Sequence, residues 1–264
     1  DLTEAAARKR TYIVRVLFIV VASLFFLGLY KNIVDRADRD IQRAFGRGQD
    51  IAEFLMVSML VGVYVLLPAA MSASLTREKE GGTLSLLLIT DLGAGEIVLQ
   101  KLLAGLVPLL TTFALLLPFA GLAYTLGGVG PGMLLVGSLV VLVACMQVGA
   151  TALLASVWSR TSVGAFIVAY AFLVLIMFGT FPFLMLADGV DLMRVDQETT
   201  LMLTPFWGLG HASRGNVQAG LVRLLPALGT VPAMLLLARG MLWSRATVRR
   251  KRYGLALFTK LDAF

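Results

Sequence analysis

Hydrophobic residues along this chain gather into long, nearly unbroken blocks instead of alternating singly or recurring every three to four positions. A helix that crosses about 30 Å of hydrocarbon needs roughly 20 mainly apolar residues. Six blocks reach that length: Tyr12–Tyr30, Phe54–Leu75, Leu102–Leu126, Met133–Trp158, Val163–Ala187 and Ala219–Trp243. They predict an all-α polytopic membrane protein, a bundle of six transmembrane helices forming a single domain over residues 1–264. Internal prolines include Pro68 in the second block, Pro108 and Pro118 in the third, and Pro226 and Pro232 in the sixth. Each deletes a backbone donor and bends its helix, while neighbouring helices re-satisfy the freed carbonyl. There is no visible internal repeat, including the inverted three-plus-three repeat of many secondary transporters.

Composition agrees with the pattern. The chain is 58% hydrophobic and 15% charged, with a mean hydropathy of +0.86; a water-soluble surface of this size needs more charge. The net charge of +7 does not point to nucleic acid, because the cations flank the apolar blocks and are not interleaved with aromatics on one face. Placing both termini in the cytoplasm puts 15 of the 23 cations inside, for a net +8 inside and −1 outside. The positive-inside rule therefore predicts cytoplasmic ends; the expected location is the inner (plasma) membrane of a bacterium or archaeon. Arg15 lies close enough to the end of its block to snorkel. The basic start Arg8-Lys9-Arg10 leads into an apolar run with no small-residue cleavage site, so an uncleaved first span is expected. A single cysteine, Cys145, excludes a disulfide framework, and a single histidine, His211, excludes HExxH-type zinc sites.

Three polar connections stand out. Lys31–Asp50 mixes Arg with Asp and is expected outside. Asp188–Gly220, also expected outside, carries Pro205, Phe206 and Trp207 as interfacial anchors. Arg77–Lys101 is the one substantial cytoplasmic loop. It opens with Arg77-Glu78-Lys79-Glu80 and the pair Gly81-Gly82. A short run from Thr83 to Thr90 follows, apolar nearly all round through Leu84, Leu86, Leu87, Leu88 and Ile89. Thr83 is expected to cap this run. Asp91-Leu92-Gly93 breaks it, and Glu96 falls in the first turn of the next helix, where a carboxylate meets the positive end of the helix dipole. A greasy helix between two spans needs a cover. Physics alone leaves two covers open, the headgroup layer or bundle on one hand and a groove on a cytosolic partner on the other.

The same loop resembles the signature of ABC-2-type permeases, the membrane subunits of type V ABC exporters, whose pattern here is roughly E-R-E-x-G-T-L-E-x-L-L-x-T-P-L-S-x-x-E-I-x-x-G-K. Glu78-Lys79-Glu80-Gly81-Gly82-Thr83-Leu84 matches its first part, with Lys79 for Arg. Leu87, Leu88 and Thr90 continue it, and Glu96-Ile97 with Lys101 matches its end. Ser85, Asp91, Gly93 and Gln100 depart from it. Leu203-Thr204-Pro205-Phe206-Trp207, followed by His211 and Arg214-Gly215, is similar to the family's segment before the last span. The resemblance implies a short cytoplasmic coupling helix and an outer re-entrant segment at Pro205, Trp207 and Arg214. It implies an ATPase-coupling interface of Glu78, Glu80, Gly82, Thr83, Leu84, Leu87, Leu88, Asp91 and Glu96. It further implies a separate ABC ATP-binding subunit, a second permease copy or homologue in a dimer, and ATP-driven export by alternating access. ATP and Mg are then held by the partner ATPase; the chain itself carries no G-x-x-x-x-G-K-[ST] phosphate loop and is expected to bind no cofactor or metal and to catalyse nothing alone.

Other residues carry less. His211 reads as a polar loop residue and Cys145 as a small packing residue. Arg249–Arg252 reads as a headgroup contact, and the spacings Gly121/Thr125 and Gly149/Leu153 suit close helix packing. An ion-coupled carrier is a rival reading, although none of the six blocks holds an acid near its centre. A rhomboid-like protease is a second rival, disfavoured by the lack of a G-x-S-G setting. A membrane anchor that assembles other proteins is a third. The uniformly apolar spans make a lipid-like cargo natural.

Overall fold

The computed structural model describes residues 9–37, 48–83, 93–178, 204–213 and 216–261. Their regular structure is entirely helical: α1 (Lys9–Ala37), α2 (Gly48–Met71), α3 (Thr76–Glu80), α4 (Ala94–Ala114), α5 (Leu117–Thr125), α6 (Pro131–Trp158), α7 (Ser162–Phe178), α8 (Phe206–Ser213), α9 (Val217–Val222) and α10 (Leu224–Leu261). Four stretches are long and apolar enough to cross a membrane, namely Gly48–Glu80, Ala94–Thr125, Pro131–Trp158 and Val217–Ser244. Two shorter apolar helical stretches, Val16–Gly28 and Ser162–Phe178, fall on the first and fifth sequence blocks. The remainder of the fifth block, from residue 179, lies outside the described residues, as do most of the predicted outer segment (188–203) and the stretch 38–47.

The prolines explain where the rods break. Pro118 is the second residue of α5; it lacks a donor, and its ring excludes a helical carbonyl four residues back, so the third block parts at Leu115-Leu116. Pro226 does the same for the sixth block. The turn falls at Arg223, with α9 before it and α10 after. Pro108 and Pro232 are instead absorbed inside α4 and α10. Several boundaries differ from the sequence blocks. Helix α4 begins at Ala94, ahead of Leu102, so Glu96 and Lys101 are helical. Helix α1 continues past Tyr30 to Ala37. Helix α10 runs on past Trp243 to Leu261, which places Arg249–Arg252 on a continuous helical backbone. Polar residues extend a helix freely once it leaves the apolar layer, so hydropathy marks the span and not the helix end.

Helix α6 is the axis of the bundle and packs against α2, α4, α7, α8, α9 and α10. Its apolar window is 67% buried within the protein, against 44%, 33% and 22% for the other three long stretches. Small residues let the helices approach it. A Cβ at Gly149 would stand 2.7 Å from Leu102 Cδ1, and one at Gly137 would collide with Met56. Gly149 therefore does pack as its spacing suggested, whereas Gly121 has nothing within 4 Å of its would-be Cβ and faces open space. Cys145 is buried in the same core. Outward, Leu17, Phe25, Leu103, Leu117, Leu175 and Leu237 are all more than half exposed. Water does not tolerate so broad an apolar exterior, whereas lipid tails do.

Candidate functional site

The charged cluster that opens the loop folds into α3 and fastens itself to the ends of other helices. The backbone turns at residues 72–75 after α2, which strips the N–H groups of Leu75 and Thr76 of ordinary helical partners. Both donate instead to the Ser156 hydroxyl, at 3.0 and 3.1 Å, in a fully buried junction. Lys79 then points its ammonium at the C-terminus of α6 and donates to the carbonyls of Ser156 (2.5 Å), Val157 (2.7 Å) and Ser159 (3.0 Å). These carbonyls end the helix, where the macrodipole is negative and acceptors lack intrahelical donors.

Glu80, the next residue, takes the opposite role. Its carboxylate accepts from the Ser162 N–H and the Ser162 hydroxyl, both at 2.7 Å, at the first turn of α7. The Thr161 hydroxyl completes that cap by accepting from the Gly164 N–H at 3.2 Å. Glu80 lies beyond the apolar stretch that ends at Leu75. The two hydrogen bonds from Ser162 hold its carboxyl below the ordinary range. Glu78 makes the third connection: its Oε1 lies 2.6 Å from the Lys101 ammonium on α4. Its Oε2 is buried without a hydrogen-bond partner. Three successive charges thus tie α3 to α4, to the end of α6 and to the start of α7.

Helix α3 closes through glycine. Gly81 N–H donates to the Arg77 carbonyl at 2.8 Å and Gly82 N–H to that of Lys79 at 3.3 Å. Gly82 takes φ +69°, a left-handed conformation that only glycine adopts without strain. The Thr83 hydroxyl, expected to cap the following run, donates back to the Glu78 carbonyl at 3.3 Å. Leu84, Leu87, Leu88 and Asp91 lie outside the described residues. Where description resumes, Gly93 is the N-cap of α4 and its N–H donates to the Glu96 carboxylate at 3.0 Å. Glu96 so occupies the first turn, as its spacing indicated.

Of the outer-segment residues, Pro205 is buried beside the start of α8. Trp207 and His211 lie on α8, with side chains outside the described set, and Arg214 lies outside it altogether. Among the described residues no three His, Cys, Asp or Glu side chains gather as a metal site.

Two groups escaped the sequence reading. Ser156, near the end of α6, carries no signal of its role in the sequence. Only knowledge of where α2 breaks assigns it two donors. Gln147 sits mid-helix in α6, 1% exposed, and its amide donates to the Thr230 hydroxyl of α10 at 2.9 Å. An amide inside an apolar run is itself the signal that could have found it, because an unsatisfied polar group in an apolar interior is costly.

The residues brought together share a second property. Lys79, Lys101, Arg160 and Arg239, all assigned to the inside by charge counting, sit on segments that meet at one end of the bundle, with Arg239 lying over Gly95. No protein-family model matches the chain, and no curated protein matches its sequence.

Proposed function

We propose that this chain is the membrane permease subunit of an ABC-2-type transporter, six spans with cytoplasmic ends, driven by an ATP-binding subunit supplied in trans. The observation that carries the reading is the three-way fastening of α3. A loop that must receive a push from a cytosolic ATPase is useful only if its root is rigidly joined to the helices that have to move. Here Glu78, Lys79 and Glu80 join the root to α4, α6 and α7, and Gly82 and Thr83 close the short helix from which the loop departs. The apolar run Leu84, Leu87 and Leu88 is the coupling helix in this reading, and it meets the ATPase with Asp91 and Glu96 at its far end. ATP and Mg reside on the ATPase, and closure of an ATPase pair rocks two permease copies between inward- and outward-facing arrangements. Pro205, Trp207 and Arg214 belong to the outer re-entrant segment. Export is the direction that fits the loop signature.

Co-purification from cells expressing the chain with the ATP-binding protein encoded nearest to it tests the partnership. Wild type is expected to retain the ATPase through detergent extraction, and Leu87→Asp to lose it. Failure of wild type to retain it moves an ion-coupled carrier or a membrane anchor to the front.

A further inference from the structure

At the charged end of the bundle, a groove of about 770 Å³ opens between the start of α4 and the last helix. That is within the range of about 300–1,000 Å³ usual for ligand sites. Its lining combines Gly95 and Glu96, the apolar side chains of Leu99 and Leu236, and then Arg239 and Trp243. Arg239 is laid across the first turn of α4. Its Cδ and Nε come within 3.3 and 3.5 Å of where a Gly95 Cβ would stand, so a small side chain there already presses on the arginine and a large one displaces it. Among the described residues no carboxylate lies within ion-pair distance of Arg239. The acid in the groove, Glu96, is turned back to the Gly93 N–H.

We propose that this groove binds the headgroup phosphate of an anionic phospholipid. A guanidinium with no carboxylate at ion-pair distance among the described residues matches a phosphate in two parallel hydrogen bonds. The walls beside it are greasy and outward-facing: Leu99 is 50% and Leu236 62% exposed. They continue the apolar faces of their helices, so an acyl chain covers them where a water-borne anion leaves them wet. Trp243, 64% exposed, stands at the end of the sixth apolar block, the level at which indoles meet headgroups. The inference rests on the membrane reading and on this end lying in the headgroup layer. The groove shares Glu96 with the proposed ATPase contact, but the test contains no ATPase, so the two proposals fail separately.

The test uses Trp243 as its reporter. With Trp158→Phe and Trp207→Phe it becomes the sole indole, since the chain has three tryptophans. The protein is reconstituted in phosphatidylcholine nanodiscs with rising fractions of phosphatidylglycerol brominated in the acyl chain, or of brominated phosphatidylcholine as control. Brominated phosphatidylglycerol is expected to half-quench Trp243 at roughly one-fifth the mole fraction the control needs, the ratio a single well-placed cation gives. Arg239→Gln and, independently, Gly95→Leu should bring the two lipids level, while both variants keep the parent's circular dichroism in phosphatidylcholine alone. The fivefold preference should survive added inorganic phosphate. Equal quenching by both lipids in the parent, a preference that persists in a folded variant of either kind, or its abolition by free phosphate would each overturn the proposal.

Discussion

The Lys79 ammonium lies 2.5 Å from the Ser156 carbonyl oxygen, joining the root of the loop between α2 and α4 to the last turn of the most buried helix. The same serine uses its hydroxyl to accept the two backbone donors that the break after α2 sets free. One helix end thereby takes up both the charge of α3 and the unpaired donors at its start.

Removing the ammonium is expected to be costly. Lys79→Met leaves three terminal carbonyls of α6 without their donor and should lower unfolding stability by about 2 kcal/mol, a typical value for charge-assisted bonds at a helix C-terminus. Lys79→Arg should recover part of this. Denaturant unfolding in detergent, followed by circular dichroism, reads both. A Lys79→Met protein as stable as wild type would mean that water replaces the ammonium without loss.

Ser156→Ala removes the acceptor but adds no bulk. It strands two buried N–H groups, each costing about 1–3 kcal/mol. The same unfolding assay should show a larger loss than Ser138→Ala, whose hydroxyl is exposed and bonds only its own helix.

Acid should undo the Glu80 cap. Its carboxyl is held below the ordinary value in the folded state, so its contribution is fully present above the unfolded carboxylate pKa of about 4.3 and fades as pH falls through the lowered value. The gap in Tm between wild type and Glu80→Gln should therefore be constant near neutrality and shrink toward pH 3. A gap that widens in acid would show that the capping carboxylate is not the source of the difference.

Between α6 and α10, a double-mutant cycle on Gln147→Leu and Thr230→Val should give a coupling energy of about 0.6 kcal/mol, the average for polar pairs between membrane helices. Strict additivity would mean that the pair contributes no mutual stabilisation.

The sequence made the spans legible because an apolar layer imposes a length that composition cannot disguise. The blocks around Phe54, Leu102, Met133 and Ala219 all lie on helices that qualify as spans. Helix ends were less legible. Polar turns such as Ala94–Lys101 and the stretch after Trp243 remain helical outside any hydropathy signal. At the loop, the first-turn position of Glu96 could be read from spacing, whereas residue type left Gly82 open between a hinge and an unusual backbone angle, and the structure shows the latter. The partners of Glu78, Lys79 and Glu80 could not, since Lys101, Ser156 and Ser162 lie from 23 to 82 residues away along the chain and meet them only through the fold. The Thr83 hydroxyl donates to the Glu78 carbonyl; the run it was expected to cap lies outside the described residues.

The most direct measurement of the proposed transport role is ATP hydrolysis in nanodiscs by this chain combined with the ATP-binding protein encoded nearest to it, comparing wild type with Leu87→Asp in the loop and Lys79→Met at its root. Hydrolysis that is stimulated by the wild-type permease, lost with its partner in Leu87→Asp, and retained but no longer permease-dependent in Lys79→Met is the expected result. Hydrolysis indifferent to the permease and to both substitutions would contradict a loop that transmits the force of ATP to this bundle.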